Sequence, residues 1–303
     1  MNIAVTGATG LIGSALVPAL RRGGHTVRLL VRRPPRDNFE ISWNPARGTL
    51  DPAALTGLDA VVHLAGAGVG DHRWTDSYKR QILASRVAGT TLLADALAGL
   101  DGPPRVLLSA SAVGWYGDTD GRAVDESALP GTGFLAEVTA AWEAATATAE
   151  HAGMRVCHLR SGVVLAARGG ALAKQLPLFR LGAGGRLGSG RQWLSWLTLA
   201  DEIAAISFLL TAEAVHGPVN LTSPEPVTNA AFTRALGSAL RRPAILPVPA
   251  VALRVVLGEF ADEGVLVSQR VIPRVLIEAG FAFSHPGIGA ALDAIITDAD
   301  SDR

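Results

Sequence analysis

Thr6-Gly7-Ala8-Thr9-Gly10-Leu11-Ile12-Gly13 stands between a short apolar run at residues 3–6 and a helical pattern that opens at residue 11. In such a turn the first glycine permits the tight exit from the strand. The second lets backbone approach a pyrophosphate, and the third lets helix pack closely on strand. The unpaired N–H groups at the helix N-terminus then face the phosphates. A glycine-rich turn without a ligand is the plainer reading of three glycines alone. The strand-to-helix context, inside a βαβ unit of about thirty residues, argues for dinucleotide binding instead.

Working outward, residues 3–6, 26–31, 60–64, 106–109 and 155–159 are short and rich in Val, Leu and Ile. That is the pattern of strands buried on both faces of a parallel sheet. Helical patterns at 11–22, 75–97 and 134–152 alternate with them, which gives an α/β class with a doubly wound parallel sheet. Residues 39–43 alternate with period two and read as a short surface strand. A helix is expected from Asp201, read as its N-cap, to about residue 210. Prolines punctuate the chain from Pro218 onward and mark a smaller C-terminal lobe. The division expected is 1–222 for the nucleotide-binding domain, with 163–199 contributing to the substrate side, then 223–297 for a substrate lobe. Residues 298–303 read as a frayed tail.

The 303 residues carry 27 basic and 27 acidic side chains, so there is no electrostatic footprint for nucleic acid or an anionic membrane. Hydrophobic residues make up 49% and charged residues 18%, which excludes disorder for most of the chain. Cys157 is the single cysteine, and no disulfide framework or thiolate metal site follows from it. The histidines lack zinc-site spacing, so no metal is expected. No apolar run approaches the roughly 20 residues of a spanning helix, and no secretory signal opens the sequence. The expectation is a cytoplasmic protein.

The end of the second strand selects the dinucleotide. An NAD site places Asp or Glu there to bond the ribose 2′-OH. This chain has no acid before Asp37 and reads Val31-Arg32-Arg33-Pro34-Pro35-Arg36. Guanidinium groups suit a 2′-phosphate, so NADP(H) is the expected cofactor. The competing reading is a solvated arginine cluster.

Four motifs carry a family resemblance: TGATGLIG at 6–13, VVHLAG at 61–66, SASAVGWYGD at 109–118 and RSGVVL at 160–165. With them the chain resembles an atypical, extended short-chain dehydrogenase/reductase. HRWTDSYKRQILASR at 72–86, GRQWLSWLTLADE at 190–202 and SQRVIPRVLIEAGFAFSHP at 268–286 narrow it further. They are similar to the NAD-dependent epimerase/dehydratase-like branch with a C-terminal domain of unknown function. The resemblance implies a Rossmann fold with a small C-terminal α/β substrate lobe. It also implies a cofactor-binding set of Gly7, Ala8, Thr9, Gly10, Leu11, Ile12, Gly13, Arg32, Arg33, Leu64, Ala65, Gly66, Gln81, Arg86, Ser109 and Val163.

Enzymes of the wider superfamily use a Tyr and a Lys four residues later as their acid/base pair, the Lys lowering the Tyr pKa. Here the tyrosines are Tyr78 and Tyr116, followed four residues on by Ile82 and Asp120. The pair is missing. Ser111 matches the superfamily's substrate-binding serine, or else bonds local backbone as strand-end serines do. Tyr116 is the one phenol expected near the cofactor, with a pKa expected near 10. Glu137 is a surrogate acid or a solvated helix residue, and His63 reads as a satisfied core histidine. On the substrate side, Arg186, Arg191, Trp193 and Trp196 are expected to form one wall, with core packing the competing reading for Trp196. Five glycines within 182–191 are expected to let that loop close as a lid.

The sequence therefore points to an NADP(H)-binding oxidoreductase or epimerase-like enzyme acting on an unidentified small molecule. The alternative is a non-catalytic NADP(H)-sensing module that binds another protein.

Overall fold

A computed structural model describes residues 1–301. The chain enters with β1 (Asn2–Thr6), turns through the glycines into α1 (Leu11–Arg22), and continues with β2 (Thr26–Val31), β3 (Glu40–Asn44), β4 (Thr49–Leu50) and β5 (Ala60–His63). Then come α2 (Asp76–Ala98), β6 (Val106–Ala112), β7 (Ala123–Val124), α3 (Phe134–Ala144), α4 (Ala147–His151), β8 (Arg155–Ser161) and β9 (Val163–Leu165). The second half holds α5 (Gly170–Arg180), β10 (Trp193–Leu194), β11 (Trp196–Thr198), α6 (Leu199–Thr211), β12 (Gly217–Leu221), β13 (Val227–Thr228) and α7 (Asn229–Ala239). Last are α8 (Ala250–Leu257), a π-helical turn at Ala261–Val265, β14 (Arg270–Val271), α9 (Arg274–Glu278) and α10 (Ile288–Ser301).

Eight strands form one sheet in the order β12-β8-β6-β5-β1-β2-β3-β4. All neighbours run parallel except β3 and β4. Strand order reverses at β1, the doubly wound arrangement that places ligands beyond the carboxyl ends of the strands. Alternation within each strand divides the core. Ile3, Val5, Leu108 and Leu159 face α1 and α6, while Ala4, Val61, Leu107 and Val156 face the α2 side. A separate apolar cluster joins Leu172 and Phe179 of α5 to Trp196, Phe232 of α7 and Leu292 of α10. Among the described residues no helix is long and apolar enough to cross a membrane.

Several expected elements differ. Residues 39–43 are not a surface appendage, because β3 pairs with β2 and buries Ile41 and Trp43. The helix expected at 134–152 breaks in two where Thr146 donates its hydroxyl to the Glu143 carbonyl at 2.8 Å, a local bond that competes with helix continuation. Thr198, not Asp201, caps α6; its Oγ1 accepts from the Asp201 N–H at 3.0 Å. The Asp201 carboxylate instead accepts from Ser284 N and His285 N at 2.8 and 3.1 Å and ties the C-terminal segment to α6. Residues 298–301, expected to fray, continue α10, and positions 302 and 303 lie outside the described residues.

Candidate functional site

The glycine turn is built by steric necessity. Gly7 sits at φ +67°, and a Cβ there would lie 2.7 Å from the Leu64 carbonyl carbon. A Cβ on Gly13 would lie 2.3 Å from the Gly7 oxygen, so α1 can seat against the turn only with glycine at that position. Thr6 holds the neighbouring loop: its Oγ1 accepts from Leu64 N at 3.0 Å and Ala65 N at 3.1 Å. The same hydroxyl lies 2.8 Å from His63 Nδ1, and His63 Nε2 lies 3.0 Å from Thr90 Oγ1. Burial pulls the His63 pKa down to about 4, so this is a neutral core histidine.

A groove of about 1030 Å³ runs along this edge and is lined by Gly7, Thr9, Gly10, Arg32, Leu64, Gly66 and Gln81. Ala8 and Ile12 turn their side chains into the core beneath it, as does Ala65 on the opposite face of the sheet. Leu11 packs where side chains on Gly169 and Gly170 would stand. The structure adds Asn44 at the end of β3 and Pro45 and Ala46 from the turn that follows, and Asp71, His72, Tyr78 and Ser85 from the segment after β5 and from α2. The first three went unseen because β3 read as a surface strand. Tyr78 donates to Gly68 O at 2.6 Å, and Ser85 Oγ accepts from Ala67 N at 3.1 Å, which fixes the loop after β5.

Three further residues of the expected set, Arg33, Arg86 and Ser109, also do not line the groove. Arg33 makes a bidentate pair with Glu40 at 2.5 and 2.6 Å, and this pair with the Arg36 N–H holds the Glu40 carboxyl down at about 2. Arg32 alone of the two faces the groove. Arg86 donates to the Ala67 and Ile82 carbonyls at 2.9 and 3.1 Å and lies 4.8 Å from the Trp142 ring centroid; it positions the loop, and burial lowers its pKa to about 10. Ser109 is enclosed within β6 with no partner for its Oγ among the described residues and does not line the groove.

Both catalytic candidates belong to a buried polar chain. Ser111 donates to Glu143 Oε1 at 2.6 Å, and Arg160 clamps the same carboxylate through Nε and Nη2, each at 2.8 Å. Arg160 Nη1 donates to the Tyr116 hydroxyl at 3.1 Å, which in turn donates to Asn220 Oδ1 at 2.7 Å. Tyr116 is 4% exposed and burial pushes its pKa to about 12, not the value near 10 expected from sequence. At neutral pH this phenol neither gives up its proton nor meets solvent. Ser111 and Tyr116 therefore hold β6, α3 and β12 together. Glu137 is exposed on α3, the solvated reading.

On the side expected to hold substrate, Trp193 and Val163 line a cavity of about 40 Å³, together with Gln192, Asn229, Gln269, and Gly264 and Val265 of the π-helical turn. Trp196 is fully buried and donates to Glu225 O at 3.1 Å, so it is core and not wall. Arg186 folds back onto its own loop, donating to Ser189 O at 2.7 Å, and Arg191 is exposed and away from the cavity. The 182–190 loop is not a free lid. Its backbone bonds to residues 246 and 248, and a Cβ on Gly185 would stand 1.7 Å from the Leu246 oxygen. Glycine serves close backbone packing here. A residue sequence reading missed, Glu263 on the π turn, accepts from Phe134 N and Leu135 N at 2.9 and 2.8 Å and caps α3 from the C-terminal side.

Behind β8, the fully buried Glu202 accepts from Ser161 Oγ at 2.8 Å while its Oε2 has no partner among the described residues, and burial pushes its carboxyl up to about 8. A carboxyl raised on folding stabilises fully below its ordinary value, and that stability fades as pH climbs through 8. His63, lowered on folding, acts oppositely: its contribution is complete above 6.5 and fades as pH falls toward 4. The two oppose each other in weak acid. From pH 6.5 to 8 the His63 contribution is complete and Glu202 still loses stability, with the same sign as Glu126, whose carboxyl burial also raises, so Tm is expected to fall over that interval and to fall less in Glu202→Gln. Thermal scans at the two pH values check this; identical slopes in both proteins would contradict it.

Comparison with known proteins agrees with this geometry. The NAD dependent epimerase/dehydratase family model matches residues 3–221, and the model for a domain of unknown function, DUF1731, matches 248–295. An epimerase family protein of Mycobacterium bovis is 50% identical over 290 residues, covering 96% of each chain. The crystal structure of human epimerase family protein SDR39U1 with NADPH superposes with TM-score 0.89 at 34% identity, covering 98% of this chain and 100% of that one. MoeE5 in complex with UDP-glucuronic acid and NAD, 22% identical with TM-score 0.79, shares the fold. With its glycine turn, its doubly wound sheet and a family match across most of its length, the chain belongs to the NAD-dependent epimerase/dehydratase family and carries a DUF1731 domain at its C-terminal end.

Proposed function

We propose that this chain binds NADP(H) in the groove along the glycine turn and works as an oxidoreductase or epimerase-like enzyme on a small molecule. The observation that carries the cofactor choice is Arg32, a groove-lining guanidinium at the exit of β2, where an NAD site would present a carboxylate. The nearby Glu40 does not oppose it, since Arg33 neutralises that carboxylate. The human relative solved with NADPH supports the same choice. Gly7, Gly10 and the N-terminus of α1 would hold the pyrophosphate, and Leu64 and Gly66 would form the opposite wall. When bound, the nicotinamide supplies the hydride chemistry. The chain's own part is to orient the ligands and keep water out.

A second reading, a non-catalytic NADP(H)-responsive module, is favoured by one observation: Ser111 and Tyr116 are both engaged inside the core. NADPH oxidation across a panel of carbonyl compounds and nucleotide sugars separates the two. Turnover of any member above a Gly13→Ala control supports the enzyme. Tight NADPH binding without turnover supports the module.

A further inference from the structure

We propose that α8 and the end of α5 form one face that docks on an anionic lipid surface, lying on the bilayer without spanning it. Seven of the eight residues of α8 are apolar, yet none of them is buried. A helix that is apolar on all sides is normally covered. Its inner side, Leu253 and Leu257, is half-buried, while Val251, Val255 and Val256 on the outer side are each at least 68% exposed. Leu178, Leu181, Ile245 and Leu246 are exposed as well, Leu181 to 80%. Together these make up seven of the twelve large hydrophobic side chains exposed among the described residues, too many on one lobe for scattered surface apolar residues. Backbone pairing joins the pieces. Leu246 N donates to Gly184 O at 3.1 Å and Val248 N to Arg186 O at 2.9 Å, and α8 begins two residues later.

Charge complementarity selects the occupant. The balanced total of 27 basic and 27 acidic side chains hides a segregation. Residues 163–200 carry five basic side chains and residues 226–258 carry four, and neither stretch contains Asp or Glu. Lys174 shares the outer face of α5 with Leu178 and Leu181, at the i, i+4, i+7 spacing of one helix stripe. Arg242 Nε donates to Arg180 O at 3.2 Å, next to Leu181, and Arg241 beside it is exposed. Arg254 stands on the outer side of α8. The acids that follow α8 are engaged: Asp262 pairs with Arg254 at 2.9 Å, Glu259 pairs with Lys79 at 2.7 Å, and Glu263 caps α3. Aliphatic side chains flanked by Lys and Arg match headgroup phosphates and the acyl boundary beneath them. Protein partners are anchored instead on Trp and Tyr, and no aromatic ring is among the exposed side chains of this face.

The test is flotation of the full-length chain with vesicles of equal parts phosphatidylglycerol and phosphatidylcholine, against vesicles of phosphatidylcholine alone. Binding to the anionic vesicles is expected to be about tenfold or more tighter, and to weaken in high salt. Val251→Glu/Val255→Glu, or Val256→Glu should the double variant not fold, is expected to cut it by about tenfold or more. Leu129→Glu, at a position 85% exposed outside this face, should leave it unchanged. No binding, equal binding to both vesicles, or binding indifferent to the valine variants overturns the proposal. So does a dimer in light scattering that those variants dissolve, which assigns the face to a second copy of the chain. Tighter binding to an acidic Leu/Glu amphipathic peptide than to vesicles assigns it to a protein and overturns the proposal too.

Discussion

Glu143→Ala is expected to destabilise the fold by about 3–5 kcal/mol, lowering Tm on the order of 10 °C. The carboxylate accepts three hydrogen bonds, two from Arg160 and one from Ser111, with side-chain exposures of 8% for Glu143 and 3% for Arg160. Its removal strands a guanidinium inside the sheet with Tyr116 Oη and the Trp115 ring, 3.9 Å from its centroid, as remaining partners. Burying an uncompensated charge costs far more than the pair itself contributes. The companion Glu143→Ala/Arg160→Met should recover much of the loss, because the stranded charge leaves with the arginine. Urea denaturation of both variants measures it. A loss under about 1 kcal/mol for the single variant would show that the pair does not lock β6, α3 and β8.

Gly13→Ala should weaken NADPH binding at least thirtyfold, about 2 kcal/mol, in a protein that still folds. The new methyl meets backbone, 2.3 Å from Gly7 O and 2.7 Å from Ala8 Cα, and neither atom can swing aside as a side chain tip does. The turn must move off the helix N-terminus, and the phosphate-facing N–H groups move with it. Overpacking of this kind costs roughly 1–3 kcal/mol of stability as well. Calorimetric titration with thermal melts separates the two effects. Unchanged affinity would mean that the turn does not hold the phosphates.

Local signals carried the fold. The glycine turn and the first two strands lie within thirty residues, and their chemistry is contained in their own sequence. The polar chain at Ser111 was illegible for the opposite reason. Glu143 and Arg160 are 17 residues apart and meet only through the pairing of β6 with β8 and the packing of α3. One signal was available: arginine in the buried strand Arg155–Ser161 demands a partner carboxylate. Arg32 and Arg33 are neighbours with opposite fates: in the bend just past β2, one lines the groove and the other pairs with Glu40. Trp193 and Trp196 differ likewise, one at the cavity and one in the core. The tightness of the 182–190 loop depends on residues 246 and 248, some sixty positions on, and glycine content alone reads equally as hinge or as close packing.

Calorimetric titration of the wild-type chain and Arg32→Asp with NADPH and NADH decides whether Arg32 reads the 2′-phosphate. The wild type is expected to bind NADPH about tenfold or more tighter than NADH, since a charge-assisted bond to phosphate contributes roughly 1.5–3 kcal/mol. In Arg32→Asp that preference should vanish. Equal wild-type affinities for the two cofactors, or a preference untouched by the substitution, would contradict the account.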